Sequence, residues 1–397
     1  MTGHQEQGPP RRQSAPAPPP AGPGLPGAFG AFSRVDLGFI LAAAVLTVAS
    51  VLAKGSGNVL PFVISALALA LLAALVGRSV DQLADRLGPG GTGVLQSALG
   101  NLPELFVCVF ALRHGLINVV TAALIGSILG NLLLVLGLAF VVGGRRHGML
   151  RFSELRARMI MSLLILSVAA MLVPSLAHYV GAAAGHHEEA LSRVTAVVLL
   201  IVFALSVPAS LRREEEQQAE SEETRLKADR AAEESDGSES SAGQRWPLPV
   251  AIGMLALAGV LAAYVSDLFV DALQPAMTTL HINQVFAGLV IVAIAGNAVE
   301  NAVGVQLAWQ QKIDHALSVT LNSPLQIALV LAPVLVLISP LIGGTAFTLV
   351  FSPMLMASVG LAVGVVAFLT FDGLSDWLEG TTMVGLYILI AAAFWWG

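Results

Sequence analysis

The sequence predicts an all-α polytopic membrane protein with eleven transmembrane helices, one N-terminal helix plus two inverted five-helix repeats. Three observations carry that expectation. The 397 residues are 56% hydrophobic and only 12% charged, a balance foreign to water-soluble domains. Eleven apolar runs approach the roughly 20 residues that a spanning helix needs. Basic residues fall on alternate sides of those runs in strongly unequal numbers.

Residues 1–36 are rich in Pro, Gly and Ala, with Pro16-Ala17-Pro18-Pro19-Pro20 as an example. Such a stretch cannot bury a core and is read as a disordered cytoplasmic tail. The Arg11-Arg12 pair lacks the short apolar stretch and small-residue cleavage site of an export signal. The first transmembrane helix falls in residues 37–57, with its apolar run at Leu37–Ala53. Residues 58–211 form the first repeat, with runs at Leu60–Gly77, Gly93–Leu112, Leu116–Val142, Met159–Val173 and Val194–Leu211. Residues 212–246 begin Arg-Arg-Glu-Glu-Glu and stay polar throughout, so they read as a solvated acidic linker on the cytoplasmic side. Residues 247–397 form the second repeat, with runs at Leu248–Phe269, Val285–Trp309, Ala316–Leu337, Ala346–Leu369 and Thr382–Trp396.

With the N-terminus inside, 17 of the 20 Lys and Arg residues fall on the inner side, leaving Lys54, Arg113 and Arg193 outside. The positive-inside rule then puts the N-terminus in the cytoplasm and the C-terminus on the opposite side of a prokaryotic inner (plasma) membrane.

A short polar phrase occurs twice within the apolar sequence, as Gly100-Asn101-Leu102-Pro103-Glu104 and Gly296-Asn297-Ala298-Val299-Glu300. The copies are 196 residues apart, and so are Ser127 and Ser323. Upstream, Asp81 and Asp85 match Asp267 and Asp271 at the same i+4 spacing. Five spans on each side of the linker would turn the second repeat upside down, the arrangement in which many transporters place their ion site at the bilayer midplane.

A carboxylate at the centre of a spanning helix costs roughly 2.5–3.5 kcal/mol on insertion scales. Two in matching contexts imply a function. Gly100 and Gly296 weaken the helix, while Pro103 and Pro324 each release a carbonyl one turn earlier. Those carbonyls, Glu104, Glu300 and the side-chain oxygens of Asn101, Asn297, Ser127 and Ser323 would make an all-oxygen cage. Hard cations such as calcium take about 6–8 oxygens. The single cysteine, Cys108, offers no softer cluster. Protons and a divalent cation would compete for the two carboxylates, which gives exchange without a separate proton path.

These residues resemble those of the cation/proton exchanger family, the calcium/proton antiporters of the calcium–cation antiporter superfamily. The resemblance runs from about Asp81 to the C-terminus. It rests on the Gly296–Glu300 phrase, on Leu83-Ala84-Asp85-Arg86-Leu87-Gly88-Pro89, on Gly126–Gly137 and on Asp372–Gly380. It implies that Glu104 and Glu300 are the family's paired ion-binding glutamates. The resemblance further implies supporting polar roles for Asn101, Asn297, Ser127, Asn131, Ser323 and Gln326, and gate or relay roles for Asp81 and Asp267. Leu102 and Pro103 replace small residues of the family phrase, Asn322 stands where Gly is usual, and Asp81 replaces Glu. Asn301 stands where the family usually has His, which leaves the counter-ion open.

The implied function is antiport of calcium, or a related cation, against protons by alternating access. A sodium/calcium or monovalent cation/proton exchanger of the same fold is the alternative, and a cation channel a more remote one. No cofactor and no nucleic acid are expected. The partners are the transported ions and the lipid bilayer, and a homo-oligomer is compatible with the sequence. An intramembrane metalloprotease would need His-Glu-x-x-His, which is absent. The His186-His187-Glu188-Glu189 run lacks the spacing for two ligands on one helix face and reads as a solvated loop. Asp85-Arg86 also reads as a loop pair. Asp372, Asp376 and Glu379 have either structural or regulatory readings. Trp377, Trp395 and Trp396 fit an interfacial belt.

Overall fold

The computed structural model describes residues 32–207, 246–343 and 346–396. The Pro-rich sequence up to residue 31 and the acidic segment 208–245, both singled out above, lie outside the described residues.

The first helix, α1 (Arg34–Leu52), starts earlier than its apolar run and inside the segment read as tail. Ser33 explains the start. Its hydroxyl accepts from the Asp36 amide at 3.1 Å, and the Asp36 carboxylate accepts from the Ser33 amide at 3.2 Å, which closes a capping box.

Helix α2 (Leu60–Leu99) is unbroken over 40 residues, about 60 Å at 1.5 Å per residue. This corrects one expectation, since Asp85 and Arg86 are helical and not in a loop. The third apolar run is broken at Gly100–Asn101, where the sequence weakens the helix: its first half completes α2 and the rest forms α3 (Leu102–Arg113).

Helix α4 (Ile117–His147) follows, then α5 (Glu154–Val180) and α6 (Ala183–Val207). The short run at Met159–Val173 understates α5. Ser153 caps the helix before its arginines, and Pro174 is accommodated inside it. The second half holds α7 (Leu248–Leu280), α8 (Gln284–Gly296), α9 (Ala298–Trp309), α10 (Ile313–Ile342), α11 (Pro353–Leu369) and α12 (Trp377–Trp396).

Among the described residues, eight helices are long and apolar enough to cross a membrane. The pair α8–α9, bent by 62°, would make a ninth, and α11 is apolar but has only 17 residues. The architecture is thus an all-helical polytopic bundle, and eight or nine spans among the described residues meet the test of length and apolarity.

Helices α2 and α7 run antiparallel along each other. At one end the Trp246 amide donates to Gln82 Oε1 at 2.9 Å, and Arg86 donates to the Trp246 carbonyl. Further along, Phe62 stacks on Phe269 at 5.2 Å, and Asn58 donates to Thr279 at 3.0 Å. Trp246, read above as linker, is fully buried and belongs to the folded body. Its indole nitrogen donates to Asp36 at 3.4 Å, which draws α1 into the same corner.

At the bundle centre α4 crosses α8 with backbone against backbone. A side chain at Gly126 would overlap the Leu289 backbone, and one at Gly288 would overlap the Val119 carbonyl. Small residues at such crossings are what let apolar helices pack without a hydrophobic driving force.

A two-residue antiparallel pair, β1 (Leu150–Arg151) with β2 (Leu374–Ser375), ties the α4–α5 turn to the α11–α12 turn. Asp372, Gly373 and Asp376 build that second turn. Asp372 accepts from the Leu374 amide at 3.1 Å, Gly373 takes φ 72°, and Asp376 caps α12 through the amides of Leu378 and Glu379 at 2.8 and 2.9 Å. Gly380 then sits against Gly137 of α4. Two of the motifs that carry the family resemblance are therefore in direct contact, and the acids at 372 and 376 have a structural use.

Candidate functional site

The site starts from two breaks in the helix ladder. Asn101, between α2 and α3, has φ −95° and ψ 17°. Asn297, between α8 and α9, has φ −105° and ψ 20°. The match continues along the chain: His114 (φ −85°, ψ 5°) ends α3 as Gln310 (φ −84°, ψ 8°) ends α9. Each Gly-Asn pair thus ends one helix and starts the next, with the glutamate in the first turn of the new helix. A carboxylate there faces the helix N-terminus, the favourable end of the peptide dipole.

The next helix of each half contains a π-turn, Gly130–Val135 in α4 and Ile327–Leu331 in α10. Wide turns of this kind recur at functional positions because they release carbonyls and re-aim side chains. A third, Ala287–Val292, lies in α8 just before Asn297.

These elements bring most of the expected residues together. Glu104 is only 1% exposed and packs against Gly296, where a Cβ would lie 3.6 Å from its own. Ser127 donates to Glu104 Oε1. The Asn297 amide nitrogen, 2% exposed as a residue, donates to Ser127 Oγ at 2.9 Å and to the Ala293 carbonyl at 3.0 Å. Ser323 Oγ lies 3.5 Å from Asn297 Oδ1, and Asn131 donates to Ser323 Oγ at 3.2 Å and to the Ser127 carbonyl at 3.0 Å. Asn101 donates to Gln326 Oε1 at 3.2 Å. Side chains from both halves are therefore interleaved in one polar cluster.

Two acceptors in the cluster are buried without a partner, Glu104 Oε2 and Asn131 Oδ1. An unsatisfied buried polar group costs about 1–3 kcal/mol, and more when charged. Both are acceptors: a hydrogen-bond donor or a cation would satisfy either, and a proton would satisfy the carboxylate.

Glu300 is half-buried and lies within electrostatic reach of both Glu104 and Asp81. Asp81 is exposed on α2, while Asp267 is half-buried on α7 and groups with His114 and Asp271. The structure thus leaves Asp81 and Asp267 outside the central cluster. Its centre holds Glu104, Ser127, Asn131, Asn297 and Ser323, with Asn101–Gln326 and Glu300 as neighbours.

A cavity of about 10 Å³ is lined by Ser127, Gly130, Asn131, Leu134, Ala293, Ile294, Asn297 and Asn301. In the sequence Asn301 marks a motif departure that leaves the counter-ion open, and the structure puts it on the cavity wall. Its position one residue beyond Glu300, on the same turn, is the signal that could have put it in the site. Gly126 and Gly288 were also missed as a pair, since their spacing in sequence says nothing about a crossing between distant helices.

The sequence profile of the sodium/calcium exchanger protein family matches residues 57–211 and 250–396. A calcium/proton antiporter of Synechocystis is 35% identical over 347 residues, 86% of this chain and 92% of that protein. The calcium/proton antiporter ChaA of Bacillus subtilis is 34% identical over 335 residues, 84% of this chain and 91% of that protein. The solved structure of native YfkE superposes with a TM-score of 0.74 at 28% identity, covering 90% of this chain and all of that one. The chain belongs to the calcium/proton antiporter family of the calcium–cation antiporter superfamily.

Proposed function

We propose that this protein exchanges calcium for protons by alternating access, with both ions competing for the carboxylates of Glu104 and Glu300. The observation that carries this reading is the buried Glu104 oxygen with no partner, set among the oxygens of Ser127, Asn131, Asn297 and Ser323. A fully ionised buried carboxylate needs a compensating positive charge. A divalent cation supplies it by coordination, and a proton removes the need for it. The same oxygen cannot satisfy both at once, so entry of one ion expels the other. The relatives of this chain carry the name of that exchange, which supports the choice of ions.

In this reading Asn101, Asn297, Ser127, Asn131, Ser323 and Gln326 shape the cage, and Asp81 and Asp267 collect ions at its two mouths. The matched dihedrals at Asn101 and Asn297 support two inverted five-helix repeats meeting at the site. The excess of Arg on one side supports a cytoplasmic N-terminus in an inner membrane. Enzymatic chemistry has no part in this scheme, because nothing covalent changes.

The test is calcium uptake into everted vesicles energised by a pH gradient. E104Q and E300Q should each abolish uptake while expression and membrane insertion are unchanged. Wild-type uptake by either variant would overturn the assignment. Asn301 on the cavity wall favours a second reading in which sodium replaces protons, because an amide there cannot carry a proton as the usual family histidine could.

A further inference from the structure

A second cluster of ligand-type side chains lies at the opposite end of the α2–α7 pair from Arg86 and Trp246. Asp267 and Asp271 stand one turn apart on α7, and His114 caps the end of α3. One ligand atom from each lies within 4.8 Å of the other two. Metal bonds of about 2.0–2.2 Å to nitrogen and oxygen need ligand atoms roughly 3–4 Å apart. His114 Nε2 is already 3.0 Å from Asp271 Oδ1.

The imidazole is held in the orientation that metal-binding histidines adopt. His114 Nδ1 lies 2.9 Å from the Phe110 carbonyl. A carbonyl only accepts, so Nδ1 carries the hydrogen, and Nε2 is the nitrogen turned toward the carboxylates. A backbone carbonyl on the other ring nitrogen is the usual outer support of a ligating histidine, because it fixes the tautomer and the ring plane. Nε2 faces a carboxylate oxygen, and either a proton or a metal ion can lie between them.

We propose that His114, Asp267 and Asp271 form a binding site for a divalent transition-metal ion, such as Zn2+ or Mn2+, distinct from the transport cage. One nitrogen and two carboxylates suit these ions better than calcium, which prefers oxygens throughout. The side chains of His114 and Asp271 are 40% and 46% exposed, so a hydrated ion can reach them. Lys54 is the charge that opposes binding, with its ammonium 4.0 Å from Asp271 Oδ2. The internal repeat sharpens the argument. The counterparts of the three residues are Gln310, Asp81 and Asp85. Both halves retain the acid pair, and only this one has the nitrogen ligand. The site would pin the end of α3, the helix that carries Glu104 in its first turn, to α7.

The test is a calorimetric titration of the purified full-length chain with Zn2+, with E104Q/E300Q as the parent so that the central carboxylates do not contribute. One Zn2+ should bind per chain. H114Q and D271N should each weaken it at least about tenfold, and K54Q should tighten it. Calcium should bind more weakly than Zn2+ there. Should the parent fold poorly, wild type and H114Q serve instead. H114Q should then lose one Zn2+ site and leave calcium uptake unchanged in buffer freed of transition metals. Failure of the parent to bind Zn2+, unchanged binding by H114Q, or equal binding of calcium would leave only a histidine–carboxylate ion pair and overturn the proposal.

Discussion

Glu104 concentrates the chemistry of this chain in one side chain. One of its oxygens takes the Ser127 hydroxyl hydrogen, and the other is buried with nothing to accept. Ser127 in turn accepts from Asn297, so it links the carboxylate of one half to the amide of the other. S127A should therefore strand a second Glu104 oxygen and release Asn297. We expect calcium affinity to fall about tenfold, from the roughly 1–3 kcal/mol cost of an unsatisfied buried group, in equilibrium calcium binding to purified protein. Asn301 makes a different prediction. N301H puts a titratable group on the cavity wall, so the pH dependence of calcium uptake should move, whereas N301Q should leave its midpoint in place. The glutamates, asparagines and serines were all legible in the sequence, because polar residues repeated within apolar runs are expensive. Asn301 was legible as a motif departure that bears on the counter-ion, but its place on the cavity wall was not, because that depends on the packing of distant helices.

Among the elements, the breaks matter more than the helices. The Gly-Asn pairs end one helix and start another where the ions are proposed to bind, and the sequence announced them through Gly100, Gly296 and Pro103. The loop reading failed at Asp85-Arg86, where α2 continues as helix. Propensity is a weak prior, and tertiary context overrides it. The crossing of α4 and α8 is set by Gly126 and Gly288, which meet backbone directly. G126A should push the helices apart beside Ser127. We expect both a lower Tm and weaker calcium binding from it, whereas G364A, where a Cβ meets nothing within 4 Å, should change neither. At the Trp246 corner, Asp36 accepts from Ser33, Arg78 and the Trp246 indole. D36N weakens charge-assisted hydrogen bonds and should lower stability by about 1–3 kcal/mol, seen as a drop in Tm without loss of the transport site.

Over the whole molecule, membrane character and the family followed from composition, apolar runs and a handful of motifs. Eight or nine spans among the described residues meet the test of length and apolarity. Apolar length alone cannot tell a straight helix from a bent pair such as α8–α9, nor decide whether a 17-residue helix crosses or stops short. The antiparallel α2–α7 pairing and the β1–β2 clasp were also hidden, since they depend on side chains far apart in sequence. What unites the scales is one demand, that a buried carboxylate shared between two halves be neutralised by either of two ions. The most direct measurement is calcium flux in proteoliposomes of purified protein, with pH and sodium gradients imposed separately and internal pH recorded. The account predicts that a pH gradient drives calcium uptake with proton counterflow, that a sodium gradient does not, and that E104Q abolishes both fluxes together. Calcium uptake driven by sodium alone, or uptake without proton movement, would contradict it.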